Sequence, residues 1–198
     1  MLLNQMLRNL KKLIGGIVLN KTIVINLFGE PGVGKSTQAM DITARLKRKG
    51  VNAEYVSEFA KDKVYEENDE VFKHQEYLFG KQSFKLARVA GKVDVIVVDS
   101  PLPLCVIYNQ NEVLGYEFNN VVMNVFNSYD NRNYLLTRKH EYKEEGRFQN
   151  EEESKEVRNQ IVTLLDDLHI DYEKIISCED NCELIASRIA KEVLDREQ

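Results

Sequence analysis

The sequence predicts an α/β fold, a doubly wound, mostly parallel sheet of five strands, on three observations. Short apolar runs alternate with longer amphipathic stretches along most of the chain. One run, Val95-Ile96-Val97-Val98 behind Asp94, is apolar without alternation, as in a central strand covered on both faces. Finally, residues 29–37 read G-E-P-G-V-G-K-S-T, a complete G-x-x-x-x-G-K-[ST] phosphate-binding loop directly behind the strand-like run 22–28.

The elements follow in order. In residues 1–20, Leu3, Met6, Leu7, Leu10, Leu13, Ile14 and Ile17 recur at helical spacing, with Arg8, Lys11 and Lys12 on the other face. This amphipathic extension is expected to pack on the domain or on a second subunit, so that a homodimer is possible; a membrane-surface helix is the other reading. Charges interrupt its apolar residues and no small-residue cleavage site follows, which argues against a signal peptide. Gly15-Gly16 separates it from the first strand. A helix is expected over 35–49, stopped by Gly50, and a short strand over 52–57. Phe72, Leu78, Phe79, Phe84, Leu86 and Val89 predict one long helix over 69–91. The strand 94–98, a helix over 118–129 and a strand over 133–137 come next. A polar segment over about 138–150 precedes a helix at 151–168, a strand at 172–177 and a closing helix at 181–196. No linker or repeat divides residues 21–198, so one domain is expected.

Composition narrows the class. The 198 residues are 43% apolar, enough for one core. The net charge of −5 offers no global field for nucleic acid, which is a possible but not a favoured partner. Three cysteines, Cys105, Cys178 and Cys182, suggest a reducing, cytoplasmic setting rather than a disulfide framework. Cys178 and Cys182 lack the companions of a zinc site and read as ordinary residues near a helix start. No apolar run approaches the roughly 20 residues that span a bilayer.

The candidate site is read from strand ends, because ligands of such sheets bind beyond their carboxyl ends. Gly29, Gly32 and Gly34 permit backbone angles and close approaches that a Cβ forbids, with Pro31 and Val33 between them. Lys35 can reach the β- and γ-phosphates of ATP, Ser36 can ligate Mg²⁺, and Thr37 is placed for the α-phosphate. Glu58, behind the second strand, is a candidate base or orienter for an acceptor hydroxyl; its bland reading is a helix N-terminal acid. Asp99, behind the third strand, has the placement of a metal-holding aspartate, and Ser100 rather than an acid follows it, which counts against simple hydrolysis. In the segment 138–150, Arg138 and Arg147 could close over the moving phosphoryl group; the alternative is a solvated charged loop. That lid holds no cysteine, so no zinc staple is expected.

Taken together, the loop followed by Gln38, Glu58, Asp99-Ser100 and the Arg138/Arg147 lid resemble a P-loop kinase of the nucleoside and nucleotide kinase group. The resemblance covers most of the chain after residue 21 and extends to small phage and bacterial kinases labelled AAA-type ATPases and to the ribosylnicotinamide kinase domain. It implies a P-loop NTPase sheet with a lid, use of ATP and Mg²⁺, and a small nucleoside-like acceptor. Deoxyribonucleoside kinases are more distantly similar; their Asp-Arg-Ser motif lacks its arginine here, where Asp99 meets Ser100 directly. Those kinases read the base with a glutamine on the long helix, which makes Gln75 and Gln82 substrate-binding candidates, with surface glutamines as the equal alternative. His74 beside them could stack on the base or have no role. A GTPase is disfavoured by the missing N-K-x-D motif and D-x-x-G switch, a motor ATPase by the missing acidic pair, and a dinucleotide binder by the G-K-[ST] ending. The expectation is phosphoryl transfer from ATP·Mg²⁺ to that acceptor. Its rivals are a kinase acting on a nucleotide within DNA and a nucleotide-dependent regulatory ATPase.

Overall fold

The structure, a computed structural model, describes residues 22–67, 69–109, 113–138 and 151–197. The expected extension over 1–20 and Lys139 to Asn150 of the expected lid, including Arg147, lie outside them.

Strand β1 (Ile23–Phe28) is the centre, with all six residues buried. Around it lie β2 (Ala53–Val56), β3 (Val95–Val98), β4 (Asp130–Thr137) and β5 (Glu173–Ile176), in the order β2-β3-β1-β4-β5, every pair parallel. The helices are α1 (Lys35–Arg48), α2 (Phe59–Tyr65), α3 (Gln75–Ala87), α4 (Leu104–Ile107), α5 (Gly115–Phe126), α6 (Glu151–Asp167) and α7 (Glu179–Glu197). Successive side chains of a strand point to opposite faces, so β1 divides the core in two. Ile23, Ile25 and Leu27 pack with Ile42 and Leu46 of α1 and with Ile185 and Ile189 of α7. Val24 and Phe28 face Phe79 and Leu86 of α3, Phe118 and Val122 of α5, and Ile161 and Leu165 of α6. Both faces are therefore covered, as the unbroken apolar β3 required. Among the described residues no helix is long and apolar enough to cross a membrane.

Three expectations are corrected. The helix expected over 69–91 is broken: Asp69–Lys73 is a 3-10 turn with no buried residue, and His74 leaves helical angles at φ −111° and ψ 70°. Val71 and Phe72 are only half-buried, so this stretch lacks the apolar anchorage that holds α3 to the sheet. Ahead of it, α2 is a helix that no buried residue marks in the sequence. Strand β4 begins at Asp130, three residues before the apolar signal, because its polar start is satisfied from elsewhere. Asp130 and Arg132 pair with Arg196 and Glu192 of α7.

Asn26 is the one polar side chain within β1. It donates from Nδ2 to Asn131 Oδ1 at 2.9 Å and to Asn133 Oδ1 at 3.0 Å on β4. Asn131 passes the contact on to the carbonyls of Phe126 and Tyr129, and Asn133 to that of Asp171. This row fixes the β1–β4 register and with it the position of the chain leaving β4. Asn26→Val removes the shared donor and leaves two acceptors short of a partner, so it should destabilise the chain by about 1–3 kcal/mol in urea unfolding.

Candidate active site

Because the sheet is parallel, the chain leaves all five strands on one edge. The loop after β1 has Gly29, Gly32 and Gly34 at φ +148°, +80° and +97°, in the region closed to ordinary side chains. A Cβ on Gly34 would meet Ser177 Oγ, just past β5, at 2.7 Å, and one on Gly29 would meet Val33 Cγ1 at 2.8 Å. Val33 is buried and anchors the loop in the core, Pro31 is half-buried, and Gly32 and Thr37 are exposed at its open side. Helix α1 starts at Gly34 without a side-chain cap and without an acid in its first turn, so its first N–H groups are left to a ligand. Lys35 Nζ donates to the carbonyls of Gly29 at 2.8 Å and Glu30 at 3.1 Å. Burial holds its ammonium below the usual lysine range, while Glu58, Asp99 and Glu30 pull the other way.

Asp99, 1% exposed, lies where β3 ends beside that loop. Its Oδ2 accepts a 2.5 Å hydrogen bond from Tyr55 Oη, and Oδ1 has no partner among the described residues. The Ser36 hydroxyl engages the same phenol, whose pKa is raised by burial and then by Asp99. Tyr55 thus joins the two residues expected to hold Mg²⁺. A buried carboxylate oxygen without a partner, beside an alcohol and a phosphate loop, fits a hard, oxygen-seeking cation.

Glu58 follows β2 and starts α2. It is the N-cap residue of that helix, and its side chain makes no capping bond. Burial raises its carboxyl above the usual range, with Lys35 opposing and Asp99 adding to the rise. Both neighbours of Glu58 are tied to α3. Lys85 Nζ donates to Ser57 O at 2.6 Å and Ser57 Oγ at 2.8 Å, and Gln82 Oε1 accepts from Phe59 N at 2.9 Å. Gln82 is 4% exposed and its Nε2 is without a partner; Gln75, equally buried, donates to Phe72 O. Neither is the surface glutamine weighed as the alternative. His74 is exposed and pairs with Glu76. The charge of Glu58 reaches Cys105 on α4 and Tyr108 just after it, both pushed up to about 12 by burial. That helix borders the Glu58 side of the cleft.

Arg138, at the end of β4, lies against the phosphate loop. It donates from Nη2 to Pro31 O at 3.1 Å and pairs through Nε with Glu30 Oε1 at 3.3 Å. Arg158 of α6 pairs with the other oxygen, Glu30 Oε2, at 3.1 Å.

The chain matches, over residues 24–180, the family model described as an AAA domain. It belongs to that family. No curated protein matches the sequence. Among solved structures, a deoxyadenosine kinase from M. mycoides, described with products dCMP and a flexible dCDP bound, is similar at 17% identity and a TM-score of 0.46, over 87% of this chain and 97% of that one. A shikimate kinase from Bacteroides thetaiotaomicron is similar at 15% identity and a TM-score of 0.40, over 87% of this chain and 98% of the other. Neither decides a substrate.

This AAA-domain chain has the five-stranded parallel α/β sheet with a phosphate loop behind its central strand that the sequence resemblance implied. Lys35, Ser36, Glu58 and Asp99 come together in one cluster. Tyr55, Lys85, Arg158 and Glu30 escaped the sequence reading. Lys85 has a signal, lying three residues from Gln82 on the same helix. Tyr55 has none without the strand register. Cys182 is buried and donates to Gln38 Oε1, and all three cysteines are free thiols.

Gly34→Ala forces a side chain into the φ +97° region and onto Ser177. It should cost about 1–3 kcal/mol in thermal unfolding. Titration calorimetry should show Mg·ATP-analogue binding lost in that variant, because the loop and the first turn of α1 can no longer close on one anion.

Proposed function

We propose that this chain is a kinase that moves the γ-phosphoryl group of ATP·Mg²⁺ onto a hydroxyl or phosphate of a small, nucleoside-like acceptor. The observation that carries this reading is Glu58. It is an uncapped, half-buried acid beside Lys35 and Asp99, in a site where no acid follows Asp99 to activate water.

In this reading the loop amides, Lys35 and Thr37 hold the donor phosphates, and Ser36 and Asp99 would hold the magnesium ion. The metal supplies charge neutralisation at the donor phosphates. For a hydroxyl acceptor, Glu58 accepts the hydroxyl proton as the acceptor oxygen bonds to the γ-phosphorus. The bond from that phosphorus to the bridging oxygen breaks, and ADP leaves with the electron pair. Arg138 neutralises charge on the moving group, with Arg147 from the lid over 138–150, and catalysis is chiefly positioning and electrostatics. Gln82, whose Nε2 has no partner among the described residues, and Gln75 line the acceptor side. Residues 21–198 form the catalytic domain and residues 1–20 a helical extension.

Thermal-shift measurements with Mg·AMP-PNP identify the acceptor class. A nucleoside, a monophosphate or nicotinamide riboside should add stabilisation beyond that of the nucleotide. If none does, and ATP is turned over alone or with a protein partner, the regulatory ATPase replaces the kinase. With the acceptor in hand, Glu58→Gln should keep AMP-PNP affinity and lower transfer by about 10²–10⁴-fold. A base must be ionised to act, and burial raises this carboxyl above its ordinary 4.5. Transfer should therefore climb with pH on an acid limb lying above 4.5, measured as kcat/KM.

A further inference from the structure

Glu30 is a buried acid that the transfer chemistry leaves without a role. It is the second residue of the phosphate loop, 5% exposed, and each of its carboxylate oxygens meets a different arginine. We propose that Glu30 is a positioning residue that joins Arg138 and Arg158 into one preassembled pair at the phosphate loop, with Arg158 a further binding residue for the donor phosphates. The inference rests on the reading of this loop as the donor site.

Four anchors fix the two guanidinium groups. Arg138 is held by Glu30 Oε1 and by Pro31 O, and Arg158 Nη1 by Glu30 Oε2 and by Leu136 O, each at 3.1–3.3 Å. The arginines come from the end of β4 and from α6, so no local sequence pattern brings them together. A ligand that meets them finds their rotamers already restricted, which removes part of the entropic cost of binding. One carboxylate against two guanidinium groups leaves a positive excess. Arg158 uses only Nη1 among the described residues, so Nε and Nη2 keep the fork that suits phosphate oxygens. The cluster also lies at the phosphate-binding lysine: Arg138 is near enough to push the Lys35 ammonium down, and Glu30 near enough to pull it up.

A buried ion triplet could serve only to brace the loop, and buried pairs are weak evidence for stability. The two roles separate by what each variant loses. Affinities of Mg·AMP-PNP and of AMP are measured by titration calorimetry on the full chain, for the wild type and for E30Q, R158A and R158K. Unfolding temperatures are recorded for each. AMP-PNP affinity should fall by about tenfold or more in E30Q and R158A, the size of one charge-assisted contact, with AMP affinity within about twofold. R158K keeps the charge and loses the fork, and should recover only part of the loss. Wild-type AMP-PNP affinity in E30Q and R158A, or equal losses for AMP-PNP and AMP alongside a lowered unfolding temperature, would overturn the inference in favour of a brace. A wild-type chain that binds neither nucleotide would instead overturn the donor-site reading itself.

Discussion

The site depends on how three consecutive carbonyls of the phosphate loop are held. Those of Gly29 and Glu30 accept from Lys35, and that of Pro31 accepts from Arg138. A peptide whose C=O is fixed on one side presents its N–H on the other, because the unit is planar. Cations on the Gly29 and Pro31 carbonyls therefore orient the N–H groups of Glu30 and Gly32 as well, whereas the peptide between them leads into Pro31 and has no N–H. The glycines make the same demand from the opposite direction: φ values of +148°, +80° and +97° at Gly29, Gly32 and Gly34 turn successive peptides in ways other residues resist. Ser177 and Val33 then occupy the space where side chains at two of these positions would lie, so the loop is shaped by its neighbours as much as by its own sequence.

Around that loop the charges balance only as a set. Arg138 and Arg158 pair with Glu30, and Lys35 lies within the field of Glu58, Asp99 and Glu30. Removing an ion from water costs several kcal/mol unless it is paired, and the two arginines on Glu30 offset part of that cost for its carboxylate. Burial nevertheless pushes Lys35 down and Glu58 up, which shows that pairing does not fully offset desolvation.

What could be read in the sequence follows from how far each signal reaches along the chain. The phosphate loop, β1 and β3 depend on neighbouring residues, and the apolar run of β3 directly implies a strand covered on both faces. The positions of Asp99 and Glu58 just past β3 and β2 were legible because a strand end is a local event. The start of β4 was not, since Asp130, Arg132 and Asn131 are stabilised by α7 and by the preceding turn rather than by apolar burial. The break at His74 was hidden for the opposite reason: helical spacing continues through residues that reach no core. Tyr55 on Asp99, and Arg158 on Glu30, span 44 and 128 positions and exist only once strand order is fixed.

The acceptor side follows from the same strand order. With β2 at the sheet edge, the turn carrying Glu58 has only β3 beside it, and it would drift without further support. Helix α3 supplies that support through Lys85 on Ser57 and Gln82 on Phe59, on either side of the acid. These bonds fix the backbone around Glu58, whose side chain makes no capping bond to α2. Gln82 Oε1 accepts from Phe59 N, and its Nε2 is without a partner among the described residues. The cleft is thereby asymmetric: a cationic loop on one side, and on the other an acid and an amide donor held by one helix.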